Sequence, residues 1–301
     1  MKSALALLIL SFAASYSQPA FAQSPPCGEK ALPYPTFAQE IRSESAGQQV
    51  TSLVVSDLRI EGDVRDREAV QTEIVKDLAP CNFLFAPRPL DEIAGAFIQI
   101  DFQRRGYYEV EVADVKVQQL DTKHGKERVL VTAHVNEGNQ FRLSQITFEN
   151  NSIFKESALR KEISISDDDI FNIEKIRQGV LRLTHDYGIF GFIDATVQPD
   201  FKIEQTNHTI SVALRIFAGK PYTIGKVEVY GLSSAKEAKL RRLVCAPDLC
   251  NLHLIETAFL MNKSSLAPGT RFEDVVNFIR NPERSTVNVV FDFRSVPAKS
   301  N

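Results

Sequence analysis

The stretch Asn136-Glu-Gly-Asn-Gln-Phe-Arg-Leu-Ser-Gln-Ile-Thr-Phe-Glu-Asn150 returns about 80 residues later as Phe217-Ala-Gly-Lys-Pro-Tyr-Thr-Ile-Gly-Lys-Val-Glu-Val-Tyr-Gly231. Each copy places a glycine and then an aromatic three residues on: Gly138 with Phe141, Gly219 with Tyr222. Each then runs into an alternating strand that closes on a turn residue, Asn150 or Gly231. A period of this length means one structural unit repeated along the chain, so the residues between the copies form one module.

The first residues stand apart from the repeat. Met1-Lys2 is a short positive start, Ala4 to Ala14 is apolar, and Ala20-Phe21-Ala22 has the small-x-small form of a cleavage site. Such a segment predicts a secretory signal peptide over residues 1–22, too short to span a bilayer. Residues 23–50, with Pro25, Pro26, Pro33 and Pro35, read as a Pro-rich lead-in. The net charge of −3 gives no electrostatic reason to bind nucleic acid or an anionic membrane.

The middle module, residues 138–220, is the clearest. It predicts a strand over Arg142 to Phe148, a short helix over Lys155 to Ile163, and a long helix over Asn172 to Tyr187. In the long helix Ile176, Val180 and Leu183 share one face, and Asn172 is the expected N-cap. Strands over Ile193 to Ile203 and Thr209 to Phe217 complete the order β-α-α-β-β. The first module, residues 51–137, repeats it. Its strand covers Leu53 to Ile60, its helices Arg67 to Leu78 and Leu90 to Arg105, and its closing strands Tyr107 to Val117 and Arg128 to Val135. Both modules leave the long helix through one element, Phe102-x-x-x-Gly106-Tyr107 and Tyr187-x-x-x-Gly191-Phe192. A glycine able to take φ > 0 ends the helix there, between aromatics that pin helix to strand.

Residues 221–297 hold a third set: a strand over Tyr222 to Tyr230, helices over Ala235 to Val244 and Leu252 to Met261, and strands over Arg271 to Ile279 and Thr286 to Phe293. The aromatic-Gly-aromatic exit is missing and Pro268-Gly269 makes the turn, so this module reads as a degenerate copy, as terminal repeats often are. Residues 298–301 are a polar tail.

Tandem β-α-α-β-β modules with this exit and entry resemble POTRA domains, the periplasmic modules of BamA-type outer-membrane assembly factors and of related TamA-like and two-partner-secretion transporters. Gly138, Phe141, Ile146, Tyr187, Gly191 and Phe192 carry the resemblance, supported by Gly106, Gly219 and Tyr222. It implies an α+β fold in which each module is a three-stranded mixed sheet with two helices on one face. It also implies that these residues are structural and that the strand after the long helix lies at the sheet edge. Family members continue into a membrane β-barrel; no strands of that kind follow Val296-Pro297, so a barrel-less protein or a truncated gene product is expected.

A free edge offers unpaired N–H and C=O groups to a partner's strand. In the first module the edge predicted for this role runs through Tyr107, Tyr108, Val110, Val112, Val115 and Val117. In the second, Pro199 interrupts the strand and would blunt pairing. The expected function is thus a non-catalytic periplasmic binding and scaffold protein, associated with the outer membrane. Its expected partners are an outer-membrane β-barrel protein, unfolded outer-membrane clients or other envelope proteins, with no nucleic acid and no small-molecule substrate. The alternative is a periplasmic spacer, or the front half of a split transporter.

Chemistry is sparse. Four cysteines in an exported chain predict disulfides, with Cys245–Cys250 and Cys27–Cys81 the preferred pairs. A metal set of Cys245, Cys250 and His253 lacks a fourth ligand nearby, so no metal or cofactor is expected. His185-Asp186 suits a helix end better than a catalytic pair. Asp167-Asp168-Asp169 lacks the glycine and closing glutamate of a calcium loop. No nucleophile elbow, phosphate loop or His-Glu-x-x-His motif is present.

Overall fold

The computed structural model describes residues 52–78, 83–84, 90–123, 126–245, 250–266 and 270–294. The predicted leader, the Pro-rich lead-in, Cys27, Cys81, Pro268-Gly269 and the polar tail lie outside these residues.

The first module contains β1 (Ser52–Asp63), α1 (Arg67–Leu78), β2 (Phe83–Leu84), α2 (Leu90–Arg104), β3 (Glu111–Lys123) and β4 (Lys126–Asn136). The second contains β5 (Arg142–Glu149), α3 (Glu156–Lys161), α4 (Ile173–Ile189), β6 (Thr196–Glu204) and β7 (Thr209–Phe217). The third contains β8 (Thr223–Tyr230), α5 (Ser234–Val244), α6 (Leu252–Asn262), a 3-10 turn (Lys263–Ser265), α7 (Phe272–Val275), β9 (Val276–Asn281) and β10 (Thr286–Asp292). The sheet orders are β2-β1-β4-β3, β5-β7-β6 and β8-β10-β9. In every module the last strand lies between the first, parallel to it, and the penultimate, antiparallel to it. The α+β reading holds, and the two-residue β2, paired with β1, adds a fourth strand to the first sheet.

The middle strand of each sheet carries the alternation that sets its buried face. On β7, Ile210, Val212, Leu214 and Ile216 are buried; on β10, Val287, Val289 and Phe291; on β4, Val129, Val131, Ala133 and Val135. Each contributes about 1.5–3 kcal/mol of transfer free energy where the side chain is large, and together with the helices they form three separate cores. The long helices start as their sequences dictate. The Asn172 side chain accepts from the Lys175 N–H at 3.0 Å and that of Asn251 from the Leu254 N–H at 3.2 Å. Each satisfies one donor that the first helical turn leaves without a partner.

The third module keeps the sheet order of the second. Its first strand shifts register against the last strand at the matching place, between Val287 and Val289, as β5 and β7 do between Leu143 and Gln145. What sequence periodicity reads there as one strand from Arg271 is a single helical turn followed by β9. The Arg271 N–H donates to the Asp274 carboxylate at 2.8 Å and the Asp274 N–H to the Arg271 carbonyl, which winds Phe272–Val275 before the chain extends.

Candidate binding edge and module junctions

Strand β3 is an edge of the first sheet: its only ladder among the described residues is to β4. Val112, Val115 and Val117 lie on it and pack against the core while staying half-exposed, whereas Val129, Val131, Ala133 and Val135 on β4 are all at 3% or below. The edge is not regular. Its register shifts between Ala113 and Lys116, where Asp114 takes φ +49°, and again between Gln119 and Asp121. Both are β-bulges, which bend a strand and limit what can pair with it. The regular run between them is Lys116 to Gln119. In the second sheet β6 pairs with β7 over nine continuous residues, with Pro199 opposite Leu214.

Tyr107, Tyr108 and Val110 are not on that edge, contrary to the sequence reading. The Tyr107 N–H bonds back to the Phe102 carbonyl at 3.1 Å and the Val110 N–H to the Tyr107 carbonyl at 3.2 Å, so the chain makes two turns before β3 begins. The second module does the same: Phe192 N–H to Tyr187 carbonyl, then Ala195 N–H to Phe192 carbonyl, both at 3.0 Å. These turns carry the residue after the exit aromatic into the neighbouring module. Tyr108 joins the core of the second module, its ring 5.5 Å from those of both Phe171 and Phe201. Burial there pushes the Tyr108 phenol up to about 12. Ile193, the equivalent residue, is buried in the core of the third module. Tyr107 and Phe192 stay with the modules they come from.

The entry and exit motifs meet at these junctions. The Phe141 N–H donates to the Gly106 carbonyl at 2.9 Å, and the Tyr222 N–H to the Gly191 carbonyl at 2.9 Å. The aromatic's own carbonyl then accepts from the residue before the long-helix N-cap, Phe171 at 2.9 Å and Cys250 at 2.8 Å. All four glycines of the two motifs have positive φ, +93° at Gly106, +69° at Gly138, +89° at Gly191 and +70° at Gly219. Gly106 is doubly constrained, because a Cβ there would stand 2.7 Å from Ile170 Cγ2 and 3.0 Å from the Phe141 carbonyl oxygen.

Side chains distinguish the two junctions. At the first, Glu109 accepts from Gln205, and Arg65 binds the buried Glu137 at 2.5 Å and lies over the Tyr107 ring. A cleft of about 800 Å³ opens beside them, lined by Arg65, Arg104, Tyr107, Glu137, Arg142 and Lys175 among others. At the second, Asp194, in the place of Glu109, pairs with Arg280 at 2.6 Å. Burial first, and the hydrogen bond to Asp194 second, raise the Tyr222 phenol. Helices α4 and α6 pack closely there, since a Cβ on Gly188 would lie 2.8 Å from Leu252 Cδ2. Alongside, His185 Nε2 stands 3.2 Å from Glu256 Oε2.

Of the two expected cysteine pairs, Cys27–Cys81 lies outside the described residues. Cys245 and Cys250 are free thiols, Cys245 exposed at the end of α5 and Cys250 buried. Cys250 occupies the place that Phe171 holds in the second module, facing the core, and burial pushes its thiol up to about 12. Asp168 and Asp169 form a turn whose backbone bonds both ways to Leu143, with Asp168 at φ +65°. Among the described residues, the group with metal-ligand geometry is His185, His253 and Glu256. Sequence reading weighed His253 with the cysteines and missed Glu256. The His-x-x-Glu spacing on one helix was the available signal, but its partner His185 lies in another module.

Residues 141–219 match the family model described as POTRA, surface antigen variable number repeat. This segment is thus similar to POTRA domains. Across the three modules the fold is that of tandem POTRA domains: the structure of Haemophilus influenzae BamA POTRA3-5 covers 82% of this chain and 97% of its own, with a TM-score of 0.58 at 20% identity. The chain is 25% identical over 275 residues, 84% of its length, to a putative outer membrane protein assembly factor of Treponema pallidum (strain Nichols). It is 25% identical over 139 residues, 46% of its length, to the outer membrane protein assembly factor BamA of Buchnera aphidicola subsp. Acyrthosiphon pisum. It spans 33% of the first relative and 22% of the second. Among the described residues no helix is long and apolar enough to cross a membrane.

Proposed function

We propose that this chain is a non-catalytic periplasmic scaffold of outer-membrane protein assembly, holding segments of clients or of a β-barrel partner by strand addition at β3. The similarity to assembly factors supports the general role. The observation that carries the site is the half-exposure of Val112, Val115 and Val117 beside a fully buried β4. A strand laid along β3 would supply ladder bonds and cover the open side of these valines. The bulges confine regular pairing to Lys116 through Gln119.

A photo-crosslinking residue at Lys116 tests this in cells, with Thr132, opposite it in register on β4, as control. Crosslinks to β-barrel proteins or unfolded outer-membrane clients from position 116 alone support strand addition. Equal yields at the two positions contradict it. A spacer is the second reading, and the two bulges favour it, since bulges are a common means of closing an edge to partners.

A further inference from the structure

We propose that His185, His253 and Glu256 form a zinc site that clamps the second module to the third. His185 lies on α4; His253 and Glu256 lie on α6, three residues apart and so on one face. The ligand atoms of all three fall within 4.8 Å of one another. A tetrahedral zinc with bonds of 2.0–2.1 Å to nitrogen and oxygen sets its ligand atoms about 3.4 Å apart, within reach of small side-chain rotations. The 3.2 Å separation between His185 Nε2 and Glu256 Oε2 is already close to that value.

The carboxylate supplies the second, independent observation. Glu256 is 4% exposed, and its Oε1 is buried with no hydrogen-bond partner among the described residues. A buried carboxylate oxygen is normally paired or metal-bound. His185 occupies only one of the two oxygens, and a cation between the three groups would satisfy the other. Two imidazoles with one carboxylate suit zinc, whereas calcium and magnesium prefer oxygen ligands throughout. His253 is exposed, which gives the ion a path in and leaves its fourth position to water. Because one ligand comes from α4 and two from α6, occupancy ties the modules together beside the Gly188–Leu252 contact.

The test is calorimetric titration of the chelator-stripped full chain with zinc chloride, run in parallel on His185→Gln and His253→Gln. The expected result is one zinc per chain in the wild type. Each variant should bind more weakly by at least the roughly 10- to 100-fold that follows loss of an outer-sphere partner alone. Spin labels on the second and third modules should show a narrower distance distribution on adding zinc to the wild type, and no change in His185→Gln. His253 is exposed, so His253→Gln keeps the test open should His185→Gln fail to fold; circular dichroism without metal checks this. No one-to-one binding by the wild type, or wild-type affinity in either variant, overturns the site. Zinc binding that leaves the inter-module distances unchanged overturns the clamp.

Discussion

The two junctions use the same main-chain bonds and different side chains. In both, a positive-φ glycine at the helix exit accepts from the aromatic that opens the next module, and the residue two after that glycine enters the next core. At the first junction the inserted residue is Tyr108, edge-on to Phe171 and tilted against Phe201. At the second it is Ile193, with the pairs Asp194–Arg280 and His185–Glu256 joining the same two modules. The backbone bonds set the geometry of the repeat, while side chains set how each joint responds to its surroundings. The first joint joins its modules through an aromatic contact and the Glu109–Gln205 bond, and the second through the Asp194–Arg280 and His185–Glu256 pairs.

The largest effect should come from breaking the shared element. Gly106→Val introduces a β-branched residue at φ +93° against Ile170 and the Phe141 carbonyl, and should cost about 3 kcal/mol in chemical denaturation. Gly138→Ala, where a Cβ would meet nothing within 4 Å, should cost only about 1 kcal/mol for its positive φ. Equal losses would mean that the exit glycine is not the constrained one.

Next come the inserted side chains. Tyr108→Ala and Ile193→Ala should each cost about 2 kcal/mol, but on different sides of the second module. Calorimetry should show the first module melting apart from the rest in Tyr108→Ala, and the third module doing so in Ile193→Ala. A smaller effect is expected at the acidic position that follows. Asp194→Asn should lose about 1 kcal/mol, and the loss should shrink in high salt because the pair with Arg280 is partly solvated. Glu109→Gln, whose partner Gln205 is uncharged, should change stability little and show no salt dependence.

The smallest effect is a titration. The Tyr108 phenol, raised by burial to about 12, should ionise well after a free tyrosine in ultraviolet difference spectra. Its raised value favours the neutral form in the folded chain. The associated stability is therefore complete below the unfolded pKa of about 10 and is lost as pH rises toward 12.

Much of this was legible in the residues. Helix α1 and strand β7 have the bounds predicted for them, and on β7 the strict apolar alternation is a local signal. The run Tyr107 to Val110 misled, since its aromatic and β-branched residues favour strands while its backbone closes two turns. The bulges at Asp114 and Leu120 were invisible because register is a property of two strands together. Phe272–Val275 escaped because a single turn has too few residues for a period. The edge position of β3 came from resemblance rather than from residues, and the meeting of His185 with Glu256 depends on how two modules pack.

Amide hydrogen exchange at Phe141 and Tyr222 tests the shared junction most directly, because each N–H is the donor that bonds one module to the last. Both amides should exchange as slowly as those of the central strands β7 and β10. Exchange at the rate of open loops, at either residue, would contradict a junction built on this bond.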